Sequence, residues 1–277
     1  MIPSCSPISL GALTTLLESR TGQQLANTRS WRIDTALKPL ARDHGLSSID
    51  QLVERLRDSH DRALADEVVD ALLNQETSFF RDGTVIDQVV EAVAAVEATG
   101  RRARLWSAGC ATGQEPLSLA IAFAERHERD GTPAPDIVAT DVSSLAIARA
   151  REGRFTHFEI QRGLPIRRMI RWFEERGGDW VAKPELTAPI AFRRHNLVAD
   201  PAPGRFDVIL CRNVLMYLAP AAKTHVFGHL VEALRPEGLL VLGAGETVIG
   251  QTDRFEPSAR LRGFYAHARV KGANLAA

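Results

Sequence analysis

Apolar residues recur at helical spacing through the first quarter of the chain. Leu10, Leu13, Leu16 and Leu17 share one face, followed by Ile33, Leu37 and Leu40, then Leu52, Val53 and Leu56, then Leu64, Val68, Leu72 and Leu73. Polar turns separate these groups and no strand-like alternation interrupts them, so residues 1–75 predict a small all-helical N-terminal domain. After about residue 85 short apolar runs replace the stripes. RARLWSAGC (102–110) enters a Gly-containing turn before the helical EPLSLAIAFAERH, and DIVATDV (136–142) precedes the helical SSLAIARAREG. IAFRRHNL (190–197) and FDVILCRNVLMYL (206–218) predict two more strands. THVFGHLVEALRPEG predicts a helix stopped by Pro236 and Gly238, and GLLVLGAGE (238–246) and GFYAHARV (263–270) predict the last strands. Strands alternating with helices imply an α/β fold with a doubly wound parallel sheet and right-handed crossovers. No helix separates the last two strands, so an antiparallel edge strand is expected.

Residues 151–190 break the alternation: the segment is too long for one crossover and too rich in aromatics for a linker. It predicts an inserted small β-subdomain at about 155–192, with a helix around 165–176 and short strands around the Gly177–Gly178 turn. The domain plan is then 1–75 helical, 76–90 a lid or linker, and 91–277 the sheet-bearing domain.

Lys+Arg and Asp+Glu are equal at 34 each, so no global field favours nucleic acid or an anionic membrane. Cys5, Cys110 and Cys211 show no metal-ligand spacing, and their odd number argues against a disulfide framework. The first twenty residues make a poor signal peptide, and no run approaches the roughly 18 apolar residues that span a bilayer. These features predict a cytoplasmic chain with reduced thiols, no nucleic-acid partner, no membrane insertion and no metal, monomeric by default.

LWSAGCATGQEPLSLAIAF places Gly109 and Gly113 where a strand hands over to a helix. Glycines there let a ligand approach the backbone, and the helix N-terminus offers unpaired N–H groups. The GxGxxG of dinucleotide sites is missing. The next strand ends in Asp141, where an acid accepts hydrogen bonds from ribose hydroxyls; the competing reading is that Asp141 caps the helix after it. An adenosine ligand without a pyrophosphate follows, and S-adenosylmethionine fits.

NQETSFFRD (74–82), WSAGCATGQEP (106–116), ATDVSS (139–144), ARAREGRF (148–155), HNL (195–197), CRNVLMY (211–217) and GAGE (243–246) together resemble the CheR family, the chemotaxis protein-glutamate O-methyltransferases. The likeness runs from about residue 10 to 270. It implies a class I methyltransferase Rossmann-like sheet using S-adenosylmethionine, with S-adenosylhomocysteine as product, and glutamates on the cytoplasmic helices of methyl-accepting chemoreceptors as acceptors. By resemblance, Thr77 and Arg81 belong to a lid over cofactor and substrate, and Glu115 sits at the methionine portion, just after the turn in which Gly109 is a cofactor contact. Asp141 holds ribose, Asn196 and Leu197 flank adenine, Asn213 and Val214 lie beside the methionine part, and Tyr217 stands beside the transferred methyl. Gln75 stands where the family often has Asn, an amide one methylene longer.

A glutamate is already ionised at neutral pH, with a pKa of about 4.3, so methyl transfer to it requires no general base. Arg81 is the candidate for gripping the acceptor carboxylate, against the alternative of a surface ion pair with Asp82. Bland readings are expected elsewhere. Phe79 and Phe80 anchor the lid in the core, Cys110 and Cys211 pack, and His195 is structural. Arg162, Arg167, Arg168 and Arg171 form a solvated helix face. Lys38 and Arg42 project opposite the Ile33/Leu37/Leu40 stripe near Trp31, and the resemblance points them at the acidic receptor bundle. The short ERGGDWVA turn suggests recognition independent of a receptor C-terminal tether. Two other functions remain open at this point: a methyltransferase of this fold acting on another protein or a small molecule, and a non-catalytic cofactor-binding signalling module.

Overall fold

The computed structural model describes residues 5–25, 30–59 and 61–269, with the side chains of Ser30, Trp31 and Ser59 outside that set. Four helices come first: α1 (Pro7–Thr21), α2 (Ser30–Asp43), α3 (Ile49–Ser59) and α4 (Arg62–Leu72). Ser6 caps α1 by accepting from the Ser9 N–H, and Asp61 caps α4 by accepting from Ala63 and Leu64. Leu13, Leu17, Ile33, Leu37, Leu52, Val53, Leu64, Val68, Leu72 and Leu73 close into one core, while Leu10, Leu16, Leu40 and Leu56 pack at its margin.

Helix α5 (Gly83–Glu97) leads into β1 (Arg104–Ala108), α6 (Gln114–Asp130), β2 (Asp136–Asp141) and α7 (Ser144–Glu152). The insertion contributes β3 (Arg154–Phe155), α8 (His157–Gln161), α9 (Ile166–Trp172), β4 (Phe173–Arg176), β5 (Asp179–Ala182) and α10 (Pro184–Thr187). The main sheet then resumes with β6 (Ile190–Arg194), β7 (Phe206–Cys211), α11 (Pro220–Ala233), β8 (Leu234–Leu242), β9 (Phe255–Pro257) and β10 (Phe264–His267). Its seven strands run β6-β2-β1-β7-β8-β10-β9, parallel from β6 through β8 and antiparallel at β10 and β9. This is the expected doubly wound α/β sheet with an antiparallel edge. Strand β7 is buried along its whole length because helices cover both faces. Leu105, Ile137, Val208 and Leu210 face the α5–α6 side, and Trp106, Val138, Ile209 and Leu240 face Val226, Phe227 and Leu230 of α11. Among the described residues no helix is long and apolar enough to cross a membrane.

Several predicted boundaries move. The strand expected over 206–218 stops at Cys211, because Asn213 adopts a left-handed φ of 58° and Leu215–Tyr217 form a 3-10 turn. The strand of 190–197 ends at Arg194, and that of 238–246 covers Leu234–Leu242, leaving GAGE in a turn. Helix α11 ends at Ala233, short of Pro236. Pro236 lies within β8 where the register against β7 shifts between Phe206 and Val208, an irregularity that tolerates a residue without an N–H. The helix of 165–176 ends at Trp172, and its last turn is instead β4, drawn into a hairpin by Gly177–Gly178. The outer edge is taken by the three-residue β9, which pairs with β10 and displaces the run 263–270 from it; Val270 lies outside the described residues.

Candidate functional site

The cleft opens at the C-terminal ends of β1, β2, β6 and β7, where a doubly wound sheet leaves its crevice. Past Ala108 the chain leaves the sheet, and the N–H groups of Gly109 and Cys110 both donate to Thr140 O at 2.8 Å. Gly109 has φ 83°, and a Cβ there would fall 2.4 Å from Val214 Cγ2, so only glycine fits. Asp141 ties this turn to the neighbouring strand. Its carboxylate accepts from the Ala111 N–H at 2.9 Å and from the Ser143 N–H at 3.0 Å. The cap of α7 is Ser143, which accepts from Ala146, so the capping alternative for Asp141 is displaced. Burial raises the Asp141 carboxyl above its ordinary value, with Asp70 of α4 adding repulsion, although the backbone donors oppose this.

Glu115 opens α6, accepts from Ser107 Oγ at 2.8 Å, and receives Arg212 Nη1 at 3.1 Å. Arg212 is buried at the end of β7, and its Nη2 also reaches Arg81 O at 3.0 Å and Asp82 Oδ2 at 2.6 Å. Asp82 is therefore not the partner of Arg81. Among the described residues no carboxylate lies within ion-pairing distance of the half-buried Arg81 guanidinium.

The segment carrying Arg81 is pinned from outside. Phe79 is fully buried and meets the rings of Phe155 and Phe173 edge-on, at centroid distances of 5.0 and 5.6 Å. Its N–H donates to Arg162 O, and Gly163 presses against its carbonyl. Phe80 is only half-buried, donates its N–H to Ser118 Oγ at 2.9 Å, and lies under the Arg168 guanidinium. The basic run is thus not a uniformly solvated face. Arg162 pairs with Glu76, Arg168 makes a two-pronged bond to Glu125, and Arg171 pairs with Glu128; of the four, Arg167 is the exposed one without such a partner.

The helical region also forms part of the wall. Gln23 bridges to Leu218, the Gln24 N–H donates to Tyr217 O, and the Ala219 N–H donates to Gly22 O. Asn196 Nδ2 donates to Arg20 O at 2.8 Å while its Oδ1 accepts from the Val198 N–H, so this side chain braces the wall. Glu246 holds the opposite loop, accepting from the N–H groups of Asn213, Gly243 and Met216. Among the described residues the positive-φ positions other than glycine are Phe80, Asp82, Ala111 and Asn213, all at or flanking this cleft. Strain gathered at one place marks a working site.

Every residue that the sequence assigned to the cofactor or the methyl-transfer site lines this one cleft: Gln75, Thr77, Arg81, Gly109, Glu115, Asp141, Asn196, Leu197, Asn213, Val214 and Tyr217; Gly113, in the same turn as Gly109, does not. Missed were Arg212, Glu246, and Thr21 and Gln23 from the helical region. The signals for the first two were visible, a cation inside an apolar strand end and an acid in the GAGE turn; nothing local flagged the last two. Burial pushes the Cys110 and Cys211 thiols well up, so both stay protonated and inert as nucleophiles. His195 is buried edge-on to Trp106, with Nε2 donating to Pro201 O at 3.0 Å, as a structural histidine does.

A family model described as CheR methyltransferase, SAM binding domain, matches residues 75–263. A chemotaxis protein methyltransferase of Pseudomonas putida is 33% identical over 254 residues, covering 87% of this chain and 90% of that one. Proteins of the same description from Vibrio parahaemolyticus (35% identical, 87% and 89% covered) and Pseudomonas aeruginosa (33%, 87% and 90%) are similarly close.

Proposed function

Because the chain belongs to the CheR methyltransferase family, we propose that it adjusts receptor signalling by esterifying glutamates in the cytoplasm. It is an S-adenosylmethionine-dependent methyltransferase acting on the glutamate side chains of chemoreceptors, with S-adenosylhomocysteine as its other product.

The residues present fit the cofactor. The Asp141 carboxylate offers about four acceptor positions and spends two on backbone donors, leaving room for ribose hydroxyls. Glu115 likewise keeps acceptor capacity toward the cleft for an ammonium group. Bound there, the sulfonium supplies an electrophilic methyl. We assign the adenine flank to Asn196 and Leu197, the methionine flank to Gly109, Glu115, Asn213 and Val214, and the covering lid to Gln75, Thr77 and Arg81. Arg81 aligns the acceptor carboxylate and Tyr217 borders the methyl. Alignment of this kind contributes roughly 7–11 kcal/mol, and the acceptor brings its own negative charge, so the chain need supply no base. The observation that most supports this reading is the Arg81 guanidinium, set in the cleft wall without an acidic partner among the described residues.

The test is incubation of tritiated S-adenosylmethionine with receptor-containing membranes, scored as methanol released by alkali. Release that tracks added enzyme supports the reading; none, with S-adenosylhomocysteine still bound, overturns it.

Since burial raises the Asp141 pKa, its ionised form is lost on acidification earlier than an ordinary aspartate's. Cofactor affinity is therefore expected to fall as pH drops toward that raised value. Asp141→Asn should bind weakly at every pH and lack this dependence, as read by calorimetry; an unchanged acid limb would sink the role.

For docking we propose the outer face of α2. Lys38 and Arg42 are exposed there, Lys38 bonding Asp34 at 3.2 Å, while the Trp31 side chain lies outside the described residues. Lys38→Glu with Arg42→Glu should slow receptor methylation at low salt roughly tenfold or more, leaving cofactor binding intact. Equal rates would remove α2 from the docking surface. The β4–β5 hairpin, closed by Gly177–Gly178 alone, goes with a tether-independent enzyme, and we propose a monomer.

A further inference from the structure

We propose that Arg212 is a positioning residue for methyl transfer, a buried guanidinium that ties the acid at the head of α6 to the lid and thereby fixes where Arg81 stands. The proposal rests on the reading in which Arg81 grips the acceptor. A buried cation is expensive unless it is paired and hydrogen-bonded. Arg212, with its side chain 2% exposed, is paired through both Nη atoms to two different elements, Glu115 on α6 and Asp82 with the Arg81 carbonyl on the lid, while its buried Nε has no partner among the described residues. Both Nη2 protons are thereby engaged, one on each lid acceptor.

The lid needs such an anchor. Arg81 lies between Phe80 at φ 47° and Asp82 at φ 55°, left-handed backbone that non-glycine residues avoid. On the near side the Phe80 N–H is held by Ser118; on the far side the holds come from Arg212. Arg212 is itself fixed, because it leaves β7 directly before Asn213, whose N–H is clamped by Glu246 at 2.7 Å. A rigid path therefore runs from the sheet, through one side chain, to the backbone that carries Arg81. Arg212 reaches Arg81 through the carbonyl alone, so it sets position and does not handle the acceptor.

Released from Arg212, the strained turn would relax and carry the Arg81 guanidinium away from the reaction axis. Glu115 would keep its Ser107 bond and its place at the methionine end. The signature is a loss in kcat with little change in cofactor affinity, together with a looser lid even before any cofactor binds.

The experiment uses the full chain and three variants: Arg212→Lys, Arg212→Met, and Asp82→Asn, the last altering a half-exposed acid that the fold can spare. Amide exchange is followed across residues 76–84 and across β1 and β2 in cofactor-free protein, beside calorimetric binding of S-adenosylhomocysteine and the methanol assay. Exchange across 76–84 should accelerate while β1 and β2 stay protected, and kcat should fall up to roughly 100-fold with nearly unchanged cofactor binding. Asp82→Asn should reproduce the pattern in milder form. Unchanged lid exchange in folded variants, loss confined to cofactor affinity, or uniform loosening of the sheet would each overturn the proposal. If the unaltered chain released no methanol, the receptor-methylation reading would fail while the exchange result still decided the role of Arg212.

Discussion

Arg81→Ala is expected to lower kcat on receptor roughly 100- to 1,000-fold while changing S-adenosylhomocysteine affinity far less. The guanidinium lies in the cleft wall with no acidic partner among the described residues, so its removal breaks no internal ion pair and the fold should stand. What disappears, on the proposed reading, is the fork that would match two carboxylate oxygens and set one of them in line with the methyl. Arg81→Lys separates charge from geometry. An ammonium keeps attraction without the planar fork, so it should recover part of the binding and little of the rate. The grip must also stay moderate, because holding the acceptor too tightly would lower the nucleophilicity the reaction depends on. Near-normal turnover in Arg81→Ala, measured as alkali-labile methyl on receptor, would rule out the alignment role.

Gly163→Ala should give the largest loss of stability. Gly163 has φ 90°, and a Cβ there would come 2.0 Å from Phe79 O, an atom of backbone that cannot swing aside. Left-handed strain and the clash together should cost about 3–4 kcal/mol, lowering the thermal midpoint by roughly 10 °C. To make room, Phe79 must leave its seat between Phe155 and Phe173, so the lid moves and methylation falls even in molecules that stay folded. Gly177→Ala is the comparison: φ is 63° but nothing lies within 4 Å, so only the conformational cost of about 1 kcal/mol applies. Equal midpoints for the two variants, by calorimetry or dichroism, would refute the packing account.

The features legible in the sequence have one thing in common: they are written in short periods. The stripes at Leu13/Leu17, Ile33/Leu37 and Leu64/Val68/Leu72 predicted a helical core because i, i+4 neighbours share a face whatever surrounds them. The apolar runs of β1, β2 and β7 predicted buried parallel strands in the same way. The cleft residues were legible because they lie in compact motifs, at strand ends or, for Gln75, Thr77 and Arg81, in the short segment between α4 and α5, and they meet in one place. What escaped depends on distant partners. Arg212 stands out as a cation at an apolar strand end, but its role shows only when Glu115, 97 residues away, is beside it. Arg168 seemed solvated because neither Glu125 nor Phe80 is near it in the chain. Strand β9 spans three residues and owes its pairing wholly to β10. Phe173–Arg176 continued a helical pattern, but the glycine pair that follows folds it back as a strand.

The junction at Arg20–Gln24 bears on how such proteins can diverge. Gly22 is left-handed, and a Cβ there would meet Val198 Cγ2 at 2.8 Å and the Ala222 side chain at 3.0 Å. The same few residues carry the bridge to Leu218 and the bond to Asn196. The outward faces of the N-terminal helices are free to drift, but this junction must drift together with the loops at 196–198 and 217–222 or not at all. Chimeras that borrow the first twenty-five residues from a relative should therefore keep activity only when those two loops come from the same donor.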